Sequence, residues 1–572
     1  MIKNLSKTIP VMILILGALP SCTLEPVRVT TDERATFTKD TLASLHANKQ
    51  KNLKIDLKKA IELALENNLE YRLKKVQAAL QSKQYDLAKT ELYPNIDLKL
   101  DYNHRNRDYI KTLADVSGGE SSSQSLIPHT IKTGSIVFNW DIFDFGLSYV
   151  RAQQASDRYL LALEQRKQMA ASIINDVIKN YTLAYYGQEV GNKIQELESA
   201  VNSSLDISDK AIDQAVGEMQ QHLSRKKSLI TDFREAKQNL VYFTQSRDKL
   251  LNLINYHALS GSDELNIVLD APDPYLLKLP SLNSNLLYLD TVALYYRPEV
   301  SASIYKVRET EKQKIAVTLE KLPGLGFKMG YNYESDKYLK FQNWWSDNLN
   351  LAWNLMQLAN IPVARETAEM QLESEKLTQL ASSAVILGEV RVLLYNYKMK
   401  KSDYLLAEKE SKYAANMYNY SVNMAATGLG DEQALVSDKI MAMNSELSKL
   451  RAFVDARNLF EDLITALGLY HQAGEFINQT SVDVAIINKW MQDFSAKEFD
   501  AIIKQEYKNV ESTYKLAENS EVHKSEQEKP MPEIMGDDKQ VRLEFELPTT
   551  DKASGDILED IKYALAQLPF LG

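Results

Sequence analysis

The chain has 572 residues, of which 44% are hydrophobic and 25% are charged, as in ordinary folded proteins. Its formal net charge of −10 argues against a nucleic-acid partner, which would require a basic surface. Only 20 Gly and 15 Pro interrupt this length, so long helices are expected.

A signal peptide is predicted over residues 1–21. Two lysines precede the apolar run Ile9–Pro20, which is shorter than the roughly 20 residues that a spanning helix needs. The only cysteine, Cys22, follows Leu19-Pro20-Ser21 and resembles the lipobox of bacterial lipoproteins, in which this Cys is acylated. The alternative is an ordinary signal peptide with an incidental Cys. Residues 22–53 are polar and are expected to form an irregular tether, and no transmembrane helix is predicted beyond them.

The first amphipathic helix is predicted to begin after Asp56, which can cap it, and to end at Leu92 before Tyr93-Pro94. A strand follows at about 95–104, where Ile96, Leu98, Leu100 and Tyr102 alternate with polar residues. Residues 105–132 contain a Ser/Gly-rich stretch and are predicted to form a flexible loop.

A second strand is predicted at about 134–143, and it leads directly into a helix that extends to about residue 215. Such a helix would be on the order of 100 Å long, which is typical of coiled coils and tunnels. A second long helix returns to Ile254, and the Pro-containing residues 255–284 are expected to form a connector.

The same order of elements then repeats. Leu92-Tyr93-Pro94 corresponds to Lys321-Leu322-Pro323 at an offset of 229, and Trp140 corresponds to Trp353 at an offset of 213. The sequence therefore predicts two repeats, residues 54–254 and residues 285–470, with strands of the second at about 325–334 and 348–355.

The four strands have the length that a tilted strand needs to cross a bilayer. Their polar faces are expected to line a lumen, with these residues in it: Asp97, Lys99, Asp101, Asn139, Asp141, Lys328, Asn350 and Asn354. A soluble sandwich shows the same alternation. However, four strands cannot enclose a lumen, and a spanning sheet has no open edge in lipid, so several copies of the chain would have to close it.

The order of helix, Leu-Tyr-Pro, strand, loop, strand, W-x-I-F-D-F-G and long helix, repeated once, resembles the TolC-like outer-membrane factors, also called outer membrane efflux proteins. The resemblance covers roughly residues 53–470. It implies a mainly α-helical chain with transmembrane β-strands. It also implies a homotrimer in which a 12-stranded β-barrel in the outer membrane continues as a periplasmic α-helical barrel. The implied function is a passive exit duct that works with a periplasmic adaptor and an inner-membrane RND or ABC transporter.

By the same resemblance, the ends of the helical hairpins form the periplasmic tip where the adaptor docks. The residues at these ends are Gly217, Glu218, Gly428, Gly430 and Asp431, and the two acidic ones are expected to set the charge at the aperture. Residues 471–572 fall outside the resemblance. Within them, 478–516 are expected to be helical and 517–539 disordered.

No enzymatic motif, metal site or cofactor site is predicted, since the seven His are scattered and Cys has no partner. The leading interpretation is an export channel lipid-anchored at Cys22 in the outer membrane. One alternative is a coiled-coil structural or adhesive lipoprotein without a pore. Within the family, the alternative is type I protein secretion rather than small-molecule efflux.

Overall fold

The structure, a computed structural model, describes residues 29–45, 52–113, 123–214, 219–256, 266–272, 276–428, 432–470 and 499–527. The chain divides into two compact units. Residues 1–53 and 255–267 form the smaller unit, and residues 54–254 and 268–572 form the larger one.

The smaller unit contains helix α1, Thr31–Leu45. Its start is a capping box, because the Thr30 amide donates to Glu33 Oε2 at 2.8 Å and the Glu33 amide donates to Thr30 Oγ1 at 3.2 Å. The expectation of an irregular tether over residues 22–53 is therefore wrong for this segment. The helix lacks an apolar stripe, and its only sequence signal is the Thr-x-x-Glu spacing.

Two helices stand where the sequence predicts one. Helix α2, Leu57–Asn67, is capped by Asp56, which accepts from the Lys59 amide at 2.8 Å, and helix α3 covers Leu69–Thr90. Asn68 separates them in an extended conformation, with φ −62° and ψ 124°, and its side chain accepts from the amides of Glu70 and Tyr71. Asn68 thus ends one helix and starts the next without Pro or Gly.

The same arrangement recurs 229 residues later. Adding 229 to the bounds of α2 and α3 gives 286–296 and 298–319, which are the bounds of α6, Leu286–Tyr296, and α7, Pro298–Leu319. Arg297 stands where Asn68 does, with φ −69° and ψ 128°. Here Pro298 at the first helical position favours the start of the second helix.

Four antiparallel strands form the main sheet in the order β2-β5-β7-β8. Their bounds are Asn95–His104 for β2, Thr130–Asp141 for β5, Gly324–Glu334 for β7 and Asn343–Ala352 for β8. The fourth strand was expected at 348–355 but lies about five residues earlier. Leu355 already begins the 3₁₀ helix Leu355–Asn360. The adjacent Trp344 and Trp345 break the alternation at its start, and only residues from Asn348 onward show it.

The segment 105–132 is not simply a loop. It contains the hairpin of β3, Tyr109–Leu113, and β4, Ser123–Ile127, and β5 begins within it at Thr130. The predicted flexible loop is therefore wrong for these residues.

Four long helices follow the strands along the chain, in two pairs. Helix α4, Ile142–Gln214, follows β5 directly, so residues expected to end the strand at 143 are already helical. Helix α5 is Met219–Leu253, α8 is Ile361–Ala426 and α9 is Glu432–Ala466. Near the sheet, α3 packs on α4, α4 on α7, and α7 on α8; farther away, α5 packs on α4 and α9 on α8. The core where α4, α5 and α9 meet contains Leu183, Val190, Phe243, Leu447 and Val454.

A separate two-stranded sheet pairs β1, Asn52–Ile55, with β6, Asn266–Leu269. Helix α10, Phe499–Gln527, packs on α6, where the rings of Tyr288 and Tyr507 stack with centroids 4.2 Å apart. Disorder expected from residue 517 is thus wrong as far as Gln527. The remaining expected disorder lies outside the described residues.

Candidate functional site

The strand register places most of the predicted lumen residues on one face of the sheet. Directly paired residues in an antiparallel sheet point to the same side, and every second residue shares that side. Asn139 pairs with Asn95 and Lys328, and Gly326 pairs with Asp141 and Asn350. The shared face therefore includes these predicted residues: Asp97, Lys99, Asp101, Asn139, Asp141, Lys328 and Asn350.

Asn354 is an exception, because β8 ends at Ala352. Its side chain accepts from the Met356 amide at 3.1 Å, so it caps the 3₁₀ turn. The expectation that Asn354 is a strand residue of the lumen is wrong.

The polar face includes residues that the sequence analysis did not single out. Ser135 pairs with Asn332, and Thr133 with Glu334, on the same side of the sheet as Asn139. Asn332 Nδ2 donates to Ser346 Oγ at 2.7 Å across β7 and β8. Continuing the period of two to the strand ends would have identified Glu334, whose carboxylate adds a charge to this face.

Close approach on the polar face explains a glycine in β7. A Cβ added at Gly326 would lie 2.6 Å from Asn350 Oδ1, so a side chain at position 326 would displace this amide. The absence of a side chain leaves room for Asn350 on the polar face.

The opposite face is apolar and exposed in the single chain. Ile96, Leu98 and Leu100 are each about 70% exposed, as are Leu349 and Leu351 on the far strand. Phe138 and Phe327 meet edge to face at 6.5 Å, and Tyr331 and Trp345 lie 5.1 Å apart. A continuous apolar sheet face of this size is typical of a surface covered by lipid or by another molecule.

Several polar side chains interrupt the apolar face. By the register, Lys132 lies beside Tyr102, His104 beside Thr130, and Asp347 beside Met329. His104 and Lys132 lie near the strand ends away from the long helices, whereas Asp347 is in the middle of β8. Within the described residues, β2 and β8 each pair with only one strand, so both sides of the sheet have an open edge.

Of the predicted tip residues, the structure describes only Gly428. It follows α8 with φ +74°, a left-handed conformation that favours Gly, and its amide donates to Ala425 O at 3.1 Å. Nearby, Ser421 donates to Asp438 and so joins α8 to α9. Cys22, Gly217, Glu218, Gly430 and Asp431 lie outside the described residues.

Charged side chains hold α4 against α7 below the sheet. Asp157 on α4 accepts a hydrogen bond from Lys312 on α7 at 2.6 Å and forms an ion pair with Arg308 at 2.9 Å. Arg158 pairs with Glu309 at 2.6 Å. Among the residues that the structure describes, no group of three or more His, Cys, Asp or Glu is arranged to hold a metal ion.

Known proteins resemble this chain in sequence and in fold. A family model described as outer membrane efflux protein matches residues 60–217, and no curated protein matches the sequence. The open state of the Neisseria gonorrhoeae MtrE outer membrane channel is 16% identical with a TM-score of 0.57, covering 72% of this chain and 88% of that one. The Campylobacter jejuni CmeC outer membrane channel is 17% identical with a TM-score of 0.57, covering 83% and 94%. The structural similarity shows a shared fold, at low sequence identity.

A membrane protein from Pseudomonas aeruginosa has the same fold, at 15% identity and a TM-score of 0.54, over 72% of this chain and 93% of that one. The matched family segment spans the sheet strands β2 and β5 and the long helix α4, which are the elements that build the candidate site. The family match over residues 60–217 and the shared fold support the resemblance of this chain to the TolC-like outer membrane efflux proteins.

Proposed function

We propose that the chain forms a ring of three copies that acts as the outer-membrane channel of a tripartite efflux system. One observation carries the proposal. The strands and helices lie side by side in an open strip, and the helices at its two edges expose apolar residues. The residues at the corresponding positions inside the strip are buried. The strip consists of four strands, each continued by a helix, in the order α3, α4, α7 and α8.

The two halves of the strip are related by constant offsets. The offset of 229 relates α2, α3 and the start of β2 to α6, α7 and the start of β7. Adding 213 to the bounds of α5 gives the bounds of α9, and adding it to Thr130 gives Asn343, where β8 begins. These relations support two tandem repeats. We call the contact between α4 and α7 the inner joint. If the repeats are equivalent, α8 and the next copy's α3 form the same contact between copies.

Burial at the inner joint supports this equivalence. Val150 on α4 and Ala316 on α7 belong to one cluster and are 7% and 2% exposed. Adding 213 to 150 gives Val363 on α8, and subtracting 229 from 316 gives Leu87 on α3. Both are apolar, and in the single chain they are 65% and 63% exposed. A second copy that repeats the inner joint would bury them.

The exposed apolar residues form a stripe along each edge helix. On α8 nine of them recur every seven residues, with one step of eight: Val363, Met370, Leu377, Val385, Val392, Met399, Leu406, Tyr413 and Tyr420. On α3 they are Leu69, Leu73, Val76, Leu80 and Leu87. Such spacing is typical of helices that pack side by side.

Among the described helices, only α8 is long and apolar enough to cross a membrane by length and composition. Only 17% of the apolar window is buried inside the chain. In the proposed ring, neighbouring helices cover these side chains instead of lipid.

Three copies would give a barrel of 12 strands, an even number within the range of bacterial outer-membrane barrels. The apolar face would contact lipid and the polar face would line the lumen. The long helices would continue the duct through the periplasm to the tip at Gly217, Glu218, Gly428, Gly430 and Asp431, where an adaptor and an RND or ABC transporter would engage. Cys22 would anchor the assembly to the outer membrane.

Two assays on the purified full-length protein test the proposal. We expect native mass spectrometry to give three times the protomer mass, and planar bilayers to show steps of ionic conductance. Leu87→Asp places a charge in the joint and should abolish the trimer and the conductance, while Leu87→Met, which keeps the stripe apolar, should preserve both. Circular dichroism would show that each variant retains its helices.

The alternatives give different outcomes. A trimer without conductance would favour a coiled-coil stalk and contradict the channel, and a monomer with an intact fold would contradict the ring. Co-purification with an ABC transporter that exports polypeptides would favour type I secretion over small-molecule efflux.

A further inference from the structure

We propose a defined register for the joint between copies, in which Asp347 on β8 lies opposite the next copy's His104 on β2. The inference rests on the proposed ring and specifies which residues pair across its strand edges. It starts from the two open edges and from pairings that already exist inside the chain.

The two offsets transfer strand pairings correctly within the chain. Leu98 pairs with Ile136 in the first hairpin. Adding 229 to 98 gives Phe327, and adding 213 to 136 gives Leu349, and these two residues pair in the second hairpin. One hairpin therefore predicts the register of the other.

The same transfer applies to the joint between copies. There β8 stands where β5 stands inside the chain, and the next copy's β2 stands where β7 does. Gly134 on β5 pairs with Tyr333 on β7. Adding 213 to 134 gives Asp347, and subtracting 229 from 333 gives His104.

Neighbouring pairs follow in the same way. The pairs Ile136–Tyr331 and Phe138–Met329 of the inner ladder become Leu349 opposite Tyr102 and Leu351 opposite Leu100. The transferred register thus sets apolar residues of β8 against apolar residues of β2, on the face proposed to contact lipid.

The chemistry of the two polar residues fits this pairing. A lone carboxylate on a lipid-facing surface is costly, and opposite side chains in an antiparallel pair have Cβ atoms about 4.5–5.5 Å apart. His104 Nδ1 lies 2.9 Å from Thr130 Oγ1. When this hydroxyl donates to Nδ1, the other ring nitrogen, Nε2, carries the proton and can donate to a carboxylate. The next copy's His104 would therefore hydrogen-bond Asp347 and satisfy it within the barrel wall.

Disulfide cross-linking tests the register directly. The pair Leu349→Cys and Tyr102→Cys lies in register and should give covalently linked dimers and trimers on non-reducing gels after mild oxidation. The pair Leu349→Cys and Leu100→Cys is displaced by two residues. Its Cα atoms would be about 7–8 Å apart, beyond the usual disulfide range, so it should not link. Single-Cys variants control for linkage through Cys22.

The outcomes separate the register from the ring. Linkage of the displaced pair instead of the in-register pair would overturn the register while supporting the ring. A folded monomer in which neither pair links would overturn the ring itself.

The His104–Asp347 hydrogen bond has its own test, the temperature at which the trimer dissociates on gels. Asp347→Leu should lower this temperature, and adding His104→Phe should lower it little further, because both changes remove one interaction. A higher dissociation temperature for Asp347→Leu would mean that the carboxylate faces lipid without a partner, and would overturn the pairing.

Discussion

Arg457 and Glu461 lie one turn apart on α9 and are almost completely inaccessible to solvent, at 1% and 0% exposure. Arg457 Nη2 donates to Glu461, and the Tyr470 hydroxyl donates to the other carboxylate oxygen. Arg457 Nη1 also donates to Lys278 O at 3.3 Å, which connects α9 to the segment before α6. These hydrogen bonds offset part of the cost of burying the two charges.

Removing one partner of this pair should therefore be far more harmful than removing both. Arg457→Met leaves Glu461 buried without its cation and should lower the free energy of unfolding by about 3–5 kcal/mol. The double variant Arg457→Met with Glu461→Leu should recover most of the loss. Urea unfolding followed by circular dichroism measures both. Lys193→Met, at the exposed pair with Glu446, is the control and should change stability by less than about 1 kcal/mol. Equal losses for the single and double variants would contradict this explanation.

Asp176 on α4 gives a prediction about pH. Burial raises the pKa of its carboxyl above the ordinary value of 3.8, and the nearby Asp462 acts in the same direction, against the opposing effect of Lys179. The folded protein therefore holds the carboxyl proton of Asp176 more tightly than the unfolded chain does. The stability contributed by Asp176 is full at low pH and is lost as the pH rises through the folded-state pKa.

Asp176→Asn should accordingly increase the free energy of unfolding at pH 7 and leave it unchanged below pH 3.8. The gain over the natural protein should grow as the pH rises from 3.8 to the folded-state pKa and stay constant above it. Urea titrations at a series of pH values would measure it, with Asp248→Asn at an exposed position of α5 as the control. A gain that is constant across the pH range would show that the proton on Asp176 is not responsible.

Two glycines at helix ends allow a matched comparison. Gly468 after α9 and Gly428 after α8 have φ of +70° and +74°. A Cβ at Gly468 would lie 2.6 Å from Tyr296 C and 2.8 Å from Arg297 N, whereas no atom of the residues that the structure describes lies within 4 Å of a Cβ at Gly428. The first glycine is needed for both conformation and space, the second for conformation alone.

Gly428→Ala should cost about 1–2 kcal/mol from the backbone conformation. Gly468→Ala should cost clearly more, because the backbone between α6 and α7 has to move. Thermal unfolding of the two variants gives the comparison. A smaller loss for Gly468→Ala would mean that this backbone yields easily.

Regular patterns made some elements predictable from sequence. β2 has the predicted bounds because its alternation is unbroken from Asn95 to His104. The start of α2 was predictable because Asp56 is a strong cap before an amphipathic run. In these elements, local preference and tertiary packing favour the same structure.

Other elements depend on features without a periodic signal. The break at Asn68 comes from one side chain that caps a helix inside a continuous helical pattern. The displaced start of β8 reflects two adjacent Trp whose side chains point to opposite faces of the sheet, and β3 and β4 form inside a segment whose composition favours loops.

At the scale of the whole molecule, alternation predicted the polar face well, since it needs only the period of two. It could not identify Asn354 as a cap, nor the apolar stripes of α3 and α8 as free edges. Recognising a free edge requires knowing which helices each face already contacts, and that information is tertiary.

In the ring, the polar face would repeat its charges in every copy. Asp97, Asp101, Asp141 and Glu334 outnumber Lys99 and Lys328 on this face, so the lumen should favour cations. Asp97→Asn with Asp101→Asn should reduce the cation-to-anion permeability ratio, measured as the reversal potential across a salt gradient in planar bilayers. Ile96→Val, on the opposite face, is the control. An unchanged ratio would show that the selectivity is set elsewhere along the duct.

The hairpin of β3 and β4 lies between β2 and β5, and residues 335–342 between β7 and β8 contain no such hairpin. Residues 105–129 separate β2 from β5, whereas only residues 335–342 separate β7 from β8. A ring of three copies would thus present tall and short loops in alternation around its rim. An antibody or bacteriophage that recognises the tall loop would find three identical epitopes per assembly, and the barrel below could approach sixfold symmetry while the cell surface shows only threefold.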